Sequence, residues 1–275
     1  MISVNNYVVN VNHFPDGTQN LELMYVGDPS NYSIVWRYER EEELSTLIYI
    51  TKHLRNIYGT KEIKLKMYYL PNARMDRTHE CNEVFTLKYF SDVINWLNFD
   101  SVEILDVHSN VGAALINKIV LASPLEYILK VIRKIEKSDS ELILYFPDEG
   151  AAKRYSGLFP HYKYCYGEKV RDWKTGTILG LDIKLLDADV SGNTILMIDD
   201  IVSFGGSFHY SALALAQYEA DKIYAYATHT ENSILDREKS TLLRDLENNT
   251  VERLFTTNSL FTGTHEKITV MEMQK

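Results

Sequence analysis

Two adjacent carboxylates followed by a glycine pair are the most informative chemical feature of the sequence. Asp199 and Asp200 end an apolar run, Gly205 and Gly206 follow in a short loop, and a helix is predicted to begin near Ser207. In parallel sheets, ligands bind at the carboxyl ends of strands, where glycine N–H groups and a helix N-terminus can hold a phosphate. The carboxylates can accept hydrogen bonds from ribose hydroxyls or hold a hydrated Mg²⁺. The pattern therefore favours a sugar-phosphate site over a solvated turn with a serine cap.

A second group of candidate residues follows a predicted strand in the first half of the chain. In the segment LPNARMDR, Arg74 and Arg77 offer bidentate donors suited to phosphate oxygens, and Asp76 lies between them, where it can orient one guanidinium. By residue type alone, such a cluster is more typical of a surface salt bridge. His108 follows another apolar run, and a lone histidine there is more often structural than a ligand. The function of these residues therefore depends on their context in the fold.

Composition and charge describe an ordinary globular chain with a large core. Of the 275 residues, 45% are hydrophobic and 24% charged, and the formal net charge of −9 disfavours nucleic acid bound through a broad basic face. Cys81 and Cys165 form no CxxC pair, which predicts neither a disulfide scaffold nor a structural zinc site. The N-terminus lacks the pattern of a signal peptide, and no apolar run reaches the length of about 18 residues that a membrane helix needs. We therefore expect a cytoplasmic protein with no membrane partner.

Short apolar runs alternate with helical stretches along the chain, a pattern typical of α/β proteins. Strands are predicted at 34–36, 63–70, 102–107, 142–146 and 223–227, and residues 195–198 form the apolar core of a further strand. Helices are predicted at 41–58, 85–97 and 207–220. Strand–helix–strand units imply parallel pairing with right-handed crossovers. The charged stretch 134–141 indicates a boundary. The pattern therefore predicts two tandem α/β domains, 1–138 and 139–275.

The segment from Asp199 to Ser207 resembles the loop that binds phosphoribosyl pyrophosphate (PRPP) in PRPP synthetases and type I phosphoribosyltransferases. That family pattern is an apolar strand, Asp-Asp, two apolar residues, Asp, Thr, a small residue, Gly and Thr. The resemblance implies that Asp199 and Asp200 face the ribose and that the loop wraps the 5-phosphate. The loop residues are Ser203, Phe204, Gly205, Gly206 and Ser207. Ser203 replaces the third Asp of the family, and Phe204 replaces its Thr.

Two further segments are similar to the nucleotide-binding motifs of PRPP synthetases. LPNARMDR resembles their Pro-Tyr-x-Arg-Gln-Asp-Arg motif, which implies that Arg74, Asp76 and Arg77 bind ATP, with Met75 replacing the family's Gln. His108 matches the Asp-Leu-His of the family, which supplies a histidine to the Mg²⁺–ATP site.

The N-terminal turn FPDG resembles the Phe-x-Asp-Gly-Glu turn of the family. There the Phe stacks on adenine across a subunit interface, which implies that Phe14 and Asp16 belong to the ATP site. Thr18 replaces the Glu of the family.

The segment FPDEGAAKR resembles the family's Ser-Pro-Asp-x-Gly-x-x-x-Arg turn, which implies that Asp148 is a metal-linked carboxylate. Further on, a Lys-x-Arg pair is by itself typical of a solvated loop. Lys169 and Arg171 nevertheless match, in type, order and approximate spacing, the catalytic flexible loop whose Lys and Arg grip the transferring phosphates. The resemblance therefore implies that both residues are catalytic.

The resemblance covers nearly the whole chain and implies two tandem type I phosphoribosyltransferase-like domains, each a mostly parallel sheet flanked by helices. It implies a Mg²⁺-dependent pyrophosphokinase that transfers the β,γ-diphosphate of ATP to the anomeric hydroxyl of a ribose 5-phosphate-type acceptor and releases AMP. Members of the family assemble as homo-oligomers, so a dimer or hexamer is expected.

Three questions stay open from the sequence. Ser203 and Phe204 leave the acceptor undecided between ribose 5-phosphate and one with a substituted 5-phosphate, such as ADP-ribose, on which Phe204 could stack. A type I phosphoribosyltransferase that consumes PRPP is a second interpretation, which the ATP-type motifs disfavour. A non-catalytic regulatory relative is the third.

Overall fold

The computed structural model describes residues 1–24, 31–59, 62–136, 140–171 and 178–273, leaving out the side chains of residues 58, 169–171 and 178–180. Within these ranges the chain forms two compact units, Met1–Ser123 and Pro124–Met273. The boundary predicted between residues 138 and 139 lies outside the described residues, and the helix that precedes it belongs to the second unit. No helix of the described ranges is both long and apolar enough to cross a membrane.

The first unit alternates strands with helices after an N-terminal region of short strands. Its elements are β1 (Ile2–Val4), β2 (Tyr7–Val8), β3 (Asn10–His13), β4 (Gln19–Glu22), β5 (Asn31–Trp36), α1 (Glu43–Tyr58), β6 (Glu62–Met67), α2 (Thr86–Trp96), β7 (Ser101–Leu105), α3 (Asn110–Leu115) and β8 (Ile119–Ala122). The main sheet has the order β2-β1-β5-β6-β7-β8, in which β5 to β8 run parallel and β1 pairs antiparallel with β5. Strands β3 and β4 form a separate antiparallel hairpin.

The core of the first unit is built from apolar residues that recur with the period of a strand or a helix. Strand β5 alternates exposed and buried residues, so that Tyr32, Ile34 and Trp36 all face the core. Helix α1 buries one face and ends at Gly59, whose φ of 71° closes the helix while its N–H donates to the carbonyl of Arg55. The helix end that the sequence predicts at this glycine is thereby confirmed.

The second unit continues the alternation. Its elements are α4 (Leu125–Ile135), β9 (Leu142–Phe146), α5 (Glu149–Tyr155), β10 (Tyr164–Arg171), β11 (Ile178–Lys184), β12 (Thr194–Val202), α6 (Gly206–Gln217), β13 (Lys222–Thr230), α7 (Thr241–Glu247), β14 (Arg253–Thr257) and β15 (Ile268–Met271). The sheet order is β11-β10-β9-β12-β13-β14-β15, parallel from β10 to β15 with β11 antiparallel at one edge.

Both faces of the second sheet are covered. In β12, Ile195 and Met197 pack in a cluster with residues of α6 and α7, while Leu196 and Ile198 pack on the opposite face with residues of α4 and α5. All of β9 is buried, as expected for an inner strand of a parallel sheet. The prediction of mostly parallel sheets flanked by helices is therefore confirmed for both units.

The structure adds one detail that bears on the site. The strand whose apolar core is 195–198 continues to Val202, because β13 extends alongside it and pairs Ile201 with His229 and Val202 with Thr230. The two carboxylates thus lie within the last residues of a strand rather than in the loop after it. Their backbone positions are consequently held by the sheet.

Candidate active site

The carboxylate pair lies on the strand at the middle of the second sheet, between β9 and β13. The side chain of Asp200 is buried, and its Oδ1 lies 3.3 Å from Nη1 of Arg154 on α5. The backbone N–H of Asp200 donates to Oδ1 of Asp199 at 2.9 Å. Arg154 therefore supplies the counter-charge for one carboxylate, while the other receives a backbone donor.

Burial raises the pKa of Asp199 well above the ordinary value for an aspartate, and the adjacent carboxylate of Asp200 raises it further. Asp199 is partly buried and Asp200 buried, and two adjacent carboxylates in such surroundings disfavour their common ionised state. A ligand that donates hydrogen bonds, or a cation, would relieve this repulsion. The strand end is therefore suited to bind a ligand that donates hydrogen bonds or carries positive charge.

The glycine pair serves two different purposes. Gly205 has a φ of 84°, and a Cβ built there would lie 2.2 Å from Cβ of Leu242, so that any side chain would clash with α7. A Cβ on Gly206 would meet nothing within 4 Å. Gly206 thus leaves open space at the N-terminus of a 12-residue helix, where backbone N–H groups lack intrahelical partners. Ser207 is exposed at the same helix start.

The loop before the helix is tied to the start of α7. The carbonyl oxygen of Phe204 accepts hydrogen bonds from the backbone N–H of Thr241 at 2.9 Å, and from the hydroxyls of Ser240 and Thr241, each at 3.2 Å. Phe204 nevertheless remains 38% exposed. The hydroxyl of Ser203 lies 2.8 Å from that of Ser233. The loop is therefore fixed through its backbone while Phe204 stays accessible.

Asp148 has a structural role, as a helix cap, that its sequence motif does not predict. It is the N-cap of α5, where its Oδ1 accepts a hydrogen bond from the backbone N–H of Ala151 at 2.9 Å. Its charge also contributes to the raised pKa of Asp199, which places both carboxylates at the same end of the sheet. The remaining lone pairs of this exposed carboxylate leave it capable of accepting further bonds.

The two residues predicted to be catalytic lie on an edge ladder of the second sheet. Lys169 pairs with Leu181 and Arg171 with Ile178 in the antiparallel pair β10–β11. Their side chains lie outside the described part of the chain. Upstream in β10, a Cβ on Gly167 would lie 2.6 Å from the carbonyl oxygen of Pro147, so this strand packs closely against the segment that leads into α5.

In the first unit, the structure brings together three of the residues expected to bind ATP. Nε of Arg77 donates to Oδ1 of Asp76 at 3.0 Å, and Ser109 donates to the same carboxylate. Burial alone would raise the pKa of Asp76, but the hydrogen bonds from Arg77 and Ser109 and the proximity of His108 lower it below its ordinary value. The guanidinium of Arg77 remains 72% exposed and can reach a ligand.

The backbone before His108 is strained. Asp106 adopts a φ of 45°, a left-handed conformation that costs a non-glycine residue on the order of 1–3 kcal/mol and that often marks functional sites. Asp106 is also buried. This sharp turn ends β7 and directs the chain towards Ser109, the N-cap of α3.

The other expected nucleotide-binding residues are exposed. Arg74 lies in the turn that follows β6. Phe14 is 52% exposed in the β3–β4 hairpin turn, where Gly17 has a φ of 83°. Oδ1 of Asp16 accepts from the backbone N–H and the hydroxyl of Thr18 at 2.9 and 2.7 Å. Thr18 thus stabilises the turn that presents Phe14.

Arg154 is the partner of Asp200, and the motif-based prediction gave it no role. It ends the segment FPDEGAAKR, so the signal was present in the sequence. Its contact with Asp200 depends on how α5 packs on the sheet, which residue spacing does not reveal.

A metal would have to be shared with a ligand. Among the described side chains, no cluster of three or more His, Cys, Asp or Glu residues is arranged to hold a cation. Mg²⁺ typically keeps several waters and binds through one or two carboxylates together with substrate phosphates. Asp148 and the Asp199–Asp200 pair could supply such carboxylates to a metal that arrives with a nucleotide.

Comparison with known proteins was made on sequence and on structure. No family model matches the chain. The ribose-phosphate pyrophosphokinase of Thermococcus kodakarensis is 29% identical over 224 residues, which cover 80% of this chain and 77% of that protein. The enzyme of the same name from Sulfurisphaera tokodaii is 26% identical over 267 residues, covering 94% of this chain and 87% of that protein.

The fold agrees with these relatives. The crystal structure of phosphoribosylpyrophosphate synthetase from Mycobacterium smegmatis matches with a TM-score of 0.75 at 17% identity, covering 96% of this chain and 86% of that one. The predicted arrangement of two tandem phosphoribosyltransferase-like units is thereby confirmed. Sequence similarity over most of the chain, together with this shared fold, makes the protein a divergent relative of the ribose-phosphate pyrophosphokinases.

Proposed function

We propose that the protein is a Mg²⁺-dependent diphosphotransferase that moves the β,γ-diphosphate of ATP to the anomeric hydroxyl of ribose 5-phosphate and releases AMP. The observation that carries this proposal is the strand end in the second unit. There Asp199 and Asp200 precede an open glycine cradle at a helix N-terminus. The named relatives supply the reaction type.

The second unit offers the parts of an acceptor site. Asp199 and Asp200 would accept hydrogen bonds from the ribose hydroxyls, with Arg154 neutralising part of their charge. Residues 203–207 would lie around the ribose and its 5-phosphate, because Gly206 opens space for the phosphate beside helix N–H groups that lack intrahelical partners. The raised pKa of Asp199 supports this assignment, since hydroxyl donors would stabilise its ionised form.

The first unit offers the parts of a nucleotide site. Arg74 and Arg77 would bind the phosphates of ATP, Asp76 would orient Arg77, and His108 would lie beside the metal-bound phosphates. Phe14 and Asp16 would contribute to binding of the adenine. Bound Mg²⁺ would neutralise phosphate charge, with Asp148 as a carboxylate on the acceptor side.

The proposed chemistry is an in-line displacement. The anomeric oxygen forms a bond to the β-phosphorus, the bond from the β-phosphorus to the oxygen bridging to the α-phosphate breaks, and AMP leaves with that electron pair. The hydroxyl proton passes to solvent. Such transfer depends mainly on positioning and charge neutralisation. Lys169 and Arg171 would stabilise the negative charge that develops on the transferring phosphates.

One observation favours a second acceptor, ADP-ribose. Phe204 is 38% exposed in the loop before Gly205 and Gly206, although its backbone is anchored by the start of α7. An exposed ring can stack on a base attached through the 5-phosphate, an interaction worth about 1–3 kcal/mol in nucleic-acid sites. If the Phe204 ring were buried against the loop, it could not stack on such a base.

The deciding experiment offers the purified protein ATP and Mg²⁺ with ribose 5-phosphate, ADP-ribose or no acceptor, and follows AMP and the new product by mass spectrometry. AMP with PRPP is the expected result, and chelation of Mg²⁺ should abolish it. AMP only with ADP-ribose would keep the chemistry and change the acceptor. Consumption of PRPP with a free base, without AMP from ATP, would identify a phosphoribosyltransferase. No turnover of any of these would indicate a non-catalytic relative.

A further inference from the structure

The place where the chain departs from the Asp-Asp-x-x-Asp pattern is linked to a carboxylate by hydrogen bonds. Oγ of Ser203 lies 2.8 Å from Oγ of Ser233, and Ser233 in turn donates to Oε2 of Glu231 at 3.3 Å. The three residues form a continuous chain from the ribose-phosphate loop to an acid on the neighbouring strand connection. We call them the Ser203–Ser233–Glu231 relay.

The donor direction of this relay follows from chemistry. An ionised carboxylate can only accept hydrogen bonds, and each serine hydroxyl has a single proton to donate. Because Ser233 donates its proton to Glu231, it must accept from Ser203. The proton of Ser203 is therefore engaged by Ser233, and the lone pairs of the Ser203 oxygen remain available. A serine held in this way presents an acceptor, as a carboxylate would.

The sheet holds the two ends of the relay in register. Val202 and Thr230 are paired neighbours on β12 and β13, so Ser203 and Glu231 are the residues that follow equivalent positions on adjacent strands. The backbone N–H of Glu231 donates to the carbonyl of Val202 at 2.9 Å. Ile234 is fully buried, and its backbone N–H donates to the carbonyl of Glu231 at 3.1 Å. The acid is thus fixed beside the loop by backbone bonds.

We propose that Glu231 is a positioning residue that acts through Ser233 to hold the hydroxyl of Ser203 as a hydrogen-bond acceptor for the ribose of the acceptor substrate. The inference rests on the proposed function. It explains how a serine can stand where the related loop carries an acid. Two hydroxyls separate the charge from the ligand, which lessens its repulsion of the 5-phosphate.

Two substitutions break the relay. Glu231→Gln replaces an obligate acceptor with an amide that can also donate, and Ser233→Ala removes the link. We expect each change to raise the KM for ribose 5-phosphate about fivefold to tenfold, the effect of losing one well-placed hydrogen bond. The KM for ATP and the melting temperature should not change. The double variant should be no worse than either single variant, because both break the same chain.

Ser203→Asp provides the reciprocal test. It places a carboxylate directly on the loop, so that adding Glu231→Gln in this background should cost no further acceptor affinity. Glu238→Gln, at an exposed glutamate of the same unit, is the matched control and should behave as the unmodified protein.

Binding of ribose 5-phosphate measured by calorimetry separates failure of the inference from failure of the proposed function. If the unmodified protein binds ribose 5-phosphate and Glu231→Gln binds it equally well, the relay has no positioning role. An equal rise in the KM for ATP, or a lower melting temperature, would indicate a structural role instead. If the unmodified protein neither binds ribose 5-phosphate nor turns it over, the inference falls together with the proposed function.

Discussion

At the scale of single residues, the candidate site is organised by two acids that receive different support. Asp200 is buried and has Arg154 as its counter-ion, whereas Asp199 has a backbone donor and a raised pKa. A fold that keeps such a pair without a ligand loses stability to electrostatic repulsion. Stability is often sacrificed in this way where a site must bind a ligand.

The first prediction concerns Asp199→Asn. Because the folded pKa of Asp199 is raised above the unfolded value of about 4, its ionisation opposes folding as pH rises through that value. The penalty is absent below the unfolded pKa and complete above the folded one. The variant should therefore be more stable than the unmodified protein at pH 7 and equally stable near pH 3. Its kcat/KM for ribose 5-phosphate should fall about 10- to 100-fold with the loss of a charged acceptor.

Thermal unfolding followed between pH 3 and pH 8, together with AMP release, checks this prediction. Asp221→Asn is the control, since Asp221 is exposed in the same unit. A melting temperature that is lowered at pH 7 would contradict the argument from repulsion.

The second prediction concerns Arg154→Met. This change leaves the buried carboxylate of Asp200 without its counter-ion, and we expect the free energy of unfolding to fall by about 1–3 kcal/mol. Adding Asp200→Asn should recover most of this loss, because the second change removes the buried negative charge that Arg154 had balanced. Denaturant unfolding of the two single variants and the double variant measures the coupling. Additive losses would show that the ion pair does not stabilise the fold.

At the scale of secondary-structure elements, the strand–loop–helix unit of β12 and α6 could be predicted from the sequence, because an apolar run, acids and glycines follow one another directly. Its supports could not. Arg154 and Ser233 reach the site from other elements, and their contacts depend on helix packing and on the register of β12 with β13. The continuation of β12 to Val202 has the same cause, since the length of a strand depends on its neighbour. Local patterns do not contain this information.

The third prediction uses the two glycines as a matched pair. Gly205→Ala places a Cβ against Leu242 at a positive φ, and should cost about 1–3 kcal/mol of stability. Gly206→Ala meets open space at the first turn of a helix, so stability should be unchanged or slightly higher. Its methyl group would instead intrude on the phosphate, and the KM for ribose 5-phosphate should rise.

Calorimetric melting and acceptor kinetics on both variants separate the two roles. Equal loss of stability in the two variants would contradict the distinction between a packing glycine and a cradle glycine. If the KM for ribose 5-phosphate is unchanged in Gly206→Ala, the 5-phosphate does not bind at this helix N-terminus.

At the scale of the whole molecule, the β3–β4 hairpin stands apart from both main sheets, and every residue of β3 is exposed. Its turn presents Phe14 without a place in the core of the first unit. Leu21 and Gln19 of β4 contact the first unit, but the exposed ring of Phe14 at the turn is accessible to another molecule. We propose that this molecule is a second copy of the chain and that Phe14 stacks on the adenine of its neighbour, as the resemblance of the turn to that of PRPP synthetases implies.

The fourth prediction tests that assembly by complementation. Phe14→Ala should raise the KM for ATP about tenfold through loss of stacking, and Asp199→Asn should impair the acceptor site. If Phe14 serves the neighbouring subunit, mixed oligomers contain sites with the unmodified residue at both positions. Co-expression in equal amounts should then recover about a quarter of normal activity at low ATP, as expected for random pairing in a symmetric dimer. Light scattering measures the oligomer in parallel. Activity equal to the average of the two parent variants would place Phe14 in its own subunit's site or in none.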